Sequence, residues 1–320
     1  MKNFAMIGAA GYIAPRHMKA IKDTGNTLIA AMDKNDSVGV IDSFFPDATF
    51  FTEFERFERH LDVLKNQSIH VDYVSIASPN YLHDAHIRFG LKQGAHAICE
   101  KPLVLNPEDI DALKLVEMES GKQVYNILQL RLHPSIIALK ERVAKAVIDN
   151  PSKVFDVDLT YLTSRGNWYF ASWKGEDSKS GGIATNIGVH FYDMLGWVFG
   201  ELKDNQAHLK QADSSAGYLE FKHARVRWFL SVNYDYIPAA VKLTGQRTFR
   251  SITVDGEEIE FSGGFTDLHT ASYEHILQGK GFGLEEAYNS IEIVSAIRNQ
   301  SALVNKELSH PFVNSVLKRA

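Results

Sequence analysis

The run NFAMIGAAGYIA, residues 3–14, changes character halfway along. NFAMIG reads as a short apolar strand and GAAGYIA as a tight turn feeding a helix. Such a turn favours glycine, which tolerates positive φ and, lacking a Cβ, allows close backbone approach. The helix then offers unpaired N–H groups and a partial positive charge, a seat for a pyrophosphate. The match to G-x-G-x-x-G is partial: Gly8 fits, Ala10 replaces the second glycine and Gly11 follows one place later. Gly8, Ala10, Gly11, Tyr12 and Ile13 are the candidate cofactor residues of this turn, and Ala14 is small enough for helix–strand packing. The N-terminus superficially resembles a signal peptide, but a strand turning into a helix accounts for the glycines.

The same alternation continues through the first 125 residues. Further strand candidates are TLIAAMD (27–33), ATFF (48–51), VDYVSIA (71–77), HAIC (96–99) and QVYNILQ (123–129). Helical stretches lie near 12–23, 53–66, 81–93 and 107–120, the last opening on the start signal Asn106-Pro107-Glu108-Asp109. Strands alternating with helices predict a parallel, doubly wound sheet. Beyond about residue 126 longer alternating runs take over: 153–164, 216–236 and 249–261, the last with an Asp-Gly turn signal. Helical patterns follow near 187–199 and 284–299. The expected fold class is α/β. An N-terminal Rossmann doubly wound parallel sheet fills residues 1–125, and a C-terminal α+β domain with a large, mostly antiparallel sheet fills 126–320.

Composition narrows the function. Apolar and charged fractions of 45% and 23% over 320 residues are those of a soluble globular protein with room for two domains. A net charge of −5 gives no reason to expect nucleic acid or an acidic membrane surface as partner. The one cysteine, Cys99, excludes an internal disulfide and fits a reducing cytoplasm. No uncharged apolar run is long enough to cross a bilayer. A cytoplasmic protein without membrane or nucleic-acid partners is expected.

Asp33 ends the second strand 25 residues after Gly8, where an acid can accept hydrogen bonds from the adenosine ribose hydroxyls. It would repel a 2′-phosphate, so NAD is favoured over NADP, although Lys34 stands beside it. Rossmann sheets bind ligands outside the carboxyl ends of their strands. Ser78-Pro79-Asn80 follows the fourth strand and Glu100-Lys101-Pro102 the fifth, so both belong to the cofactor side. Ser78, Asn80, His83 and Glu100 are therefore added to the cofactor set. Lys101, beside a cationic nicotinamide and partly shielded from water, should have a depressed pKa and suit proton removal from an alcohol. Glu100 could hold it in place. A second constellation follows Ser-Gly-Gly: Asn186 and His190 are spaced i, i+4 on one helical face, with Asp193 one turn beyond.

Together the glycine turn, S-P-N-x-x-H (78–83), A-x-x-x-C-E-K-P (95–102) and G-G-x-x-x-N-x-G-x-H (181–190) resemble the Gfo/Idh/MocA oxidoreductase family. The resemblance implies NAD-dependent dehydrogenation with Lys101 and His190 beside the reacting carbinol. Asn186 stands where the family commonly has Asp, so proton transfer is expected to rest on Lys101 and His190, with Lys101 favoured. IGAAGYIAPRHMKAIKDTGN, FFTEFERF, LQLRLHPSI, TSRGNWYFASWKG and KSGGIATNIGVHFYDML are similar to the branch that oxidises the 3′-hydroxyl of UDP-N-acetyl-2-amino-2-deoxy-D-glucuronate. That branch serves surface polysaccharide (O-antigen) synthesis, and some members look able to pass the hydride to 2-oxoglutarate. The likeness also implies a homodimer or homotetramer.

A UDP-uronate carries phosphates, a carboxylate, a uracil and hydroxyls, which match arginine forks and aromatic faces. Arg131, Arg165, Asn167, Tyr169, Trp173, Lys174, Lys179 and Asn186 are the candidate substrate-binding residues. Arg131, Arg165 and Lys174 argue against a neutral free sugar, the alternative being another nucleotide sugar or a cyclitol. A non-catalytic NAD-binding sensor is a further reading. FTDLHTASY (265–273) would bring His269 and Tyr273 from the last hairpin. His83 and His86, i and i+3, lack a third ligand, so no metal is expected. Cys99 reads as a buried strand residue. VRWFLSV (226–232) alternates poorly, which predicts Trp228, Phe229 or Leu230 on an exposed sheet face used for oligomerisation.

Overall fold

The computed structural model describes residues 1–260 and 267–317. Phe261, the end of the expected hairpin run, and Phe265 and Thr266 of FTDLHTASY lie outside them. Contacts divide the chain into two compact units, Met1–Gln129 with Thr266–Tyr288, and Leu130–Phe265 with Asn289–Ala320.

The first unit holds strands β1 (Asn3–Ile7), β2 (Thr27–Met32), β3 (Thr49–Phe51), β4 (Tyr73–Ile76), β5 (His96–Cys99) and β6 (Val124–Asn126). All pair in parallel, in the order β3-β2-β1-β4-β5-β6. That is the Rossmann order, with its reversal between β1 and β4, where such sheets open a ligand crevice. Helices α1 (Ala14–Asp23), α2 (Phe54–Asn66), α3 (His83–Lys92) and α4 (Pro107–Ser120) connect the strands. Strands covered on both faces are apolar without alternation, and β4 is buried throughout, with Ser75 and the Tyr73 phenol its only side-chain hydroxyls.

The second unit begins with α5 (Pro134–Asp149) and β7 (Phe155–Thr163), then short helices α6 (Trp168–Ala171) and α7 (Asp177–Ser180). A π-helical turn, Ala184–Gly188, runs into α8 (Val189–Phe199). Strands β8 (Leu202–Lys210), β9 (Ser214–Phe221), β10 (Ala224–Ser231), β11 (Thr248–Val254) and β12 (Glu257–Glu258) follow, with α9 (Ala239–Leu243) before β11. The sheet order is β12-β11-β7-β10-β9-β8, antiparallel except for β7 beside β10. Asp255 and Gly256 both have positive φ, 51° and 82°, as the two-residue hairpin between β11 and β12 requires.

Two expectations fail here. Trp228, Phe229 and Leu230 are wholly buried, so β10 presents no exposed apolar face. Tyr192 of α8 meets Trp228 edge-on at 5.3 Å, while Phe312 stacks on Phe229 at 5.3 Å and Tyr236 meets it at 5.8 Å. The strand fails to alternate because the same chain covers both its faces. The second failure is FTDLHTASY: its described part forms no hairpin but opens α10 (Leu268–Leu277), which returns to the first unit and packs on α1. Tyr273 and Ile276 join Phe4, Met18 and Tyr73 in that unit's core. The unit division differs from a single break at 125/126 for the same reason. The remaining helices are α11 (Leu284–Asn299), within which the division falls, and α12 (Pro311–Leu317). Among the described residues no helix is long and apolar enough to cross a membrane.

Candidate active site

In the first unit the expected cofactor residues converge on the carboxyl ends of the strands. Gly8 has φ of 91°, and a Cβ there would fall 2.5 Å from the Ala77 carbonyl carbon, so the β1–α1 turn presses against the end of β4. The amide of Gly11 donates back to Gly8 O at 3.1 Å and that of Ala10 to the Asp33 carboxylate at 3.0 Å. Asp33 thus faces the turn from the end of β2, its other oxygen accepting from Asn35 N–H at 2.9 Å. Among the described residues, the amides of Tyr12 and Ile13 have no partner, and Tyr12 is almost fully exposed. A glycine cradle, free amides at a helix start and an acid on the next strand fit the pyrophosphate and ribose of NAD.

Ser78 donates or accepts at 2.8 Å with His86 Nδ1, and burial pushes His86 down to about 4. Asn80 is buried and opens a short 3-10 turn, Asn80–Leu82, ahead of α3. His83 is also buried, its ring nitrogens 2.7 Å from Pro102 O and 2.8 Å from Ser78 O. It ties the loop after β4 to the loop after β5, which leaves its ring no nitrogen for a cofactor. Burial lowers its pKa, and the two carbonyls oppose that shift.

Glu100 is the centre of a buried hydrogen-bonded cluster. Its Oε1 lies 3.0 Å from His17 Nε2 and 2.8 Å from His269 Nε2, while Oε2 accepts from the Lys101 backbone N–H at 3.2 Å. His17 Nδ1 lies 2.7 Å from Tyr273 Oη, which is 2.7 Å from Ser75 Oγ. All five side chains are buried. Burial opposes ionisation of Glu100, but the hydrogen bonds from His17 and His269 outweigh it and hold the carboxyl well below its usual range. Burial pushes His17 down, against the pull of Glu100, and drives the Tyr273 phenol up. The donors then follow: His17 gives Nε2–H to Glu100, Tyr273 gives its proton to His17 Nδ1, and Ser75 donates to Tyr273. His17 was missed in the sequence, although an imidazole on the buried face of α1 beside Ala14, Met18 and Ile21 was a visible anomaly. Lys101 itself is half-buried.

In the second unit Arg131 is spoken for. Its guanidinium grips Asp193 of α8 with Nε–Oδ2 at 3.0 Å and Nη2–Oδ1 at 2.6 Å, both residues buried. The cation expected to meet substrate is neutralised inside the protein, where it anchors the helix carrying His190. Asn186, in the π-helical turn, donates to Tyr169 Oη at 2.9 Å, so these two expected residues do meet. Arg165 Nη1 donates to Thr163 Oγ1 at 2.8 Å, and Lys174 Nζ sits 3.8 Å over the Trp173 ring. Lys179 pairs with Glu176 at 2.6 Å, Asn167 is exposed beside Trp168, and His190 is half-buried in the first turn of α8. A π turn changes helical pitch for a few residues and is frequent at functional sites.

Two family models match the chain: the NAD-binding Rossmann fold of a Gfo/Idh/MocA oxidoreductase family over residues 2–127, and that family's C-terminal alpha/beta domain over 140–247. The chain is 51% identical to the WlbA (WbpB) dehydrogenase from Thermus thermophilus, over 98% of this chain and 100% of that one, with a TM-score of 0.93. That protein was crystallised with NAD and α-ketoglutarate, and with NAD and UDP-GlcNAcA. The WlbA dehydrogenase from Bordetella pertussis shares the fold at 19% identity and a TM-score of 0.73, over 92% of this chain and 94% of that one. Among curated sequences the match to 1,5-anhydro-D-fructose reductase of Ensifer adhaerens is 25% over 220 residues, 68% of this chain and 61% of that protein. The chain spans about half the length of the curated relatives it matches.

Proposed function

This chain belongs to the Gfo/Idh/MocA oxidoreductase family, and from that premise we propose that it oxidises the 3′-hydroxyl of UDP-GlcNAcA to the 3-keto sugar with NAD, in surface polysaccharide (O-antigen) synthesis. The observation carrying the reading is 51% identity along nearly the whole chain to a dehydrogenase crystallised with that cofactor and that sugar nucleotide. Bound NAD supplies the hydride acceptor. The chain's own work is to bind, orient and move a proton. The free amides of Tyr12 and Ile13 and the carboxylate of Asp33 hold the cofactor's phosphates and ribose. Lys101 Nζ takes the proton of the 3′-hydroxyl, and His190 is the second group assigned to that oxygen. Asn186 cannot accept a proton, and its bond to Tyr169 gives it an orienting role. Arg165, Asn167, Trp173, Lys174 and Lys179 are the proposed contacts to the nucleotide and the sugar acid, with Arg131 acting through Asp193.

The Thermus structure with α-ketoglutarate supports 2-oxoglutarate as a second substrate that accepts the hydride and regenerates NAD. A cytoplasmic location and a homodimer or homotetramer complete the proposal. The oligomer rests on family likeness rather than on residues 226–232, and light scattering on the purified protein measures it.

The test is absorbance at 340 nm with NAD and UDP-GlcNAcA, with and without 2-oxoglutarate, alongside mass analysis of the sugar. UDP-N-acetylglucosamine, lacking the carboxylate, is the control. A 3-keto product from the uronate supports the reading, and its appearance only with 2-oxoglutarate identifies recycling in place. A protein that binds NAD yet converts no uronate under either condition refutes the substrate assignment.

A further inference from the structure

The imidazole of His269 has one polar contact, Nε2 to Glu100 Oε1 at 2.8 Å, and its Nδ1 is buried without a partner. Leaving a buried nitrogen unsatisfied costs stability, which an apolar side chain would avoid. What the ring gains is one N–H aimed at Glu100. His17 aims a second at the same oxygen, from the helix that begins at the dinucleotide turn. The other carboxylate oxygen holds the amide of Lys101. We propose that His17 and His269 are positioning residues for Lys101, acting through Glu100: two imidazoles fix the carboxylate, and the carboxylate fixes the backbone from which the lysine side chain leaves.

The arrangement joins three elements in the first unit. β5 ends in Glu100, α1 supplies His17, and α10 supplies His269 and Tyr273. Glu100, held ionised, places a carboxylate charge in the interior at the residue before Lys101. The other titratable groups close to it are Cys99, whose thiol burial and Glu100 push up, the phenol of Tyr273, and His83, whose ring feels both Glu100 and Lys101. Ser75 ends the chain of hydrogen bonds as a hydroxyl that does not titrate.

The inference rests on Lys101 being the base, and it is tested by kcat, KM and pH profiles of His269→Leu, His269→Gln and Glu100→Gln beside Lys101→Met. His269→Leu should lower kcat about 10- to 100-fold with KM for NAD and UDP-GlcNAcA little changed, as for a misplaced reacting group. His269→Gln still presents an N–H to Glu100 and should recover kcat to within about threefold of the parent, the scale of one altered hydrogen bond. Glu100→Gln removes the buried charge and should move the acid limb of kcat to lower pH. An unchanged kcat in His269→Leu, an equal loss in His269→Gln, or an unmoved limb in Glu100→Gln overturns the inference. The last applies even where the leucine variant does not fold, as does a loss of about 10-fold or more in His269→Gln. Full turnover in Lys101→Met instead sinks the base assignment. Lost turnover there beside an unaffected His269→Leu sinks the positioning role alone.

Discussion

Among the described residues, each unit of this protein buries one carboxylate, Glu100 in the first and Asp193 in the second, and the two are held by different chemistry. Asp193 in the second unit faces the planar fork of Arg131, a cation at every pH the protein meets. Glu100 in the first faces two imidazoles and a backbone amide, each aiming a single N–H at it. The Arg131–Asp193 pair sums to zero charge and pins α8. The Glu100 cluster holds an ionised carboxylate one residue before the lysine assigned to chemistry. One device is mechanical, and the other also sets a local potential.

Breaking each device should separate them. Asp193→Asn leaves an uncompensated buried guanidinium and should cost about 3–5 kcal/mol, read as a fall in the urea midpoint. Replacing both partners, Arg131→Met with Asp193→Leu, should recover most of that loss, because no buried charge is then orphaned. The acid limb of stability comes next. His86 and His310 are held neutral down to about pH 4 by burial, while unfolded imidazoles protonate near pH 6.5. The unfolded state therefore binds more protons between those values, so stability should fall by a few kcal/mol as pH drops from about 6.5 to 4. Glu100, with its pKa depressed, contributes stability above its unfolded value and loses it as pH falls from about 4.5 toward the folded pKa. Glu100→Gln should flatten that last stretch and leave the histidine stretch in place, which urea unfolding at stepped pH will show.

Smaller effects refine the picture. Ser75→Ala deletes the terminal donor of the Tyr273–His17–Glu100 chain and should cost about 0.5–1.5 kcal/mol in the same assay. The thiol of Cys99 is buried and pushed well up, so iodoacetamide should label it only on unfolding, with the native mass unchanged.

The first unit's sheet was legible because strands buried on both faces are short and apolar and their helices are amphipathic. The reach of α10 was not, since a helix's apolar stripe says nothing about which core it serves. Tyr273 and Ile276 carry the same periodicity whether they pack on α1 or on the second sheet. Trp228 misled for a related reason: broken alternation marks a strand covered on both sides, whether by its own chain or by a partner. Arg131 and Asp193 stand 62 residues apart, and no local pattern announces a pair at that distance. The dinucleotide turn, Asp33 and the strand-end lysine were readable because their spacing is local. The restraints on Glu100 were not, because they come from residues 83 positions before it and 169 after it.

The return of α10 has a consequence for how the protein is made. Residues 1–129 leave the ribosome first, yet the helix that completes their core, at 268–277, follows the entire 130–265 segment. Phe4, Met18 and Tyr73 must wait for Tyr273 and Ile276, which cover them in the finished fold. Domains generally fold as units during synthesis, and this one cannot close in order. A nascent chain arrested after residue 260 should therefore be a chaperone client, holding a nearly complete nucleotide-binding sheet with one side of its core still open.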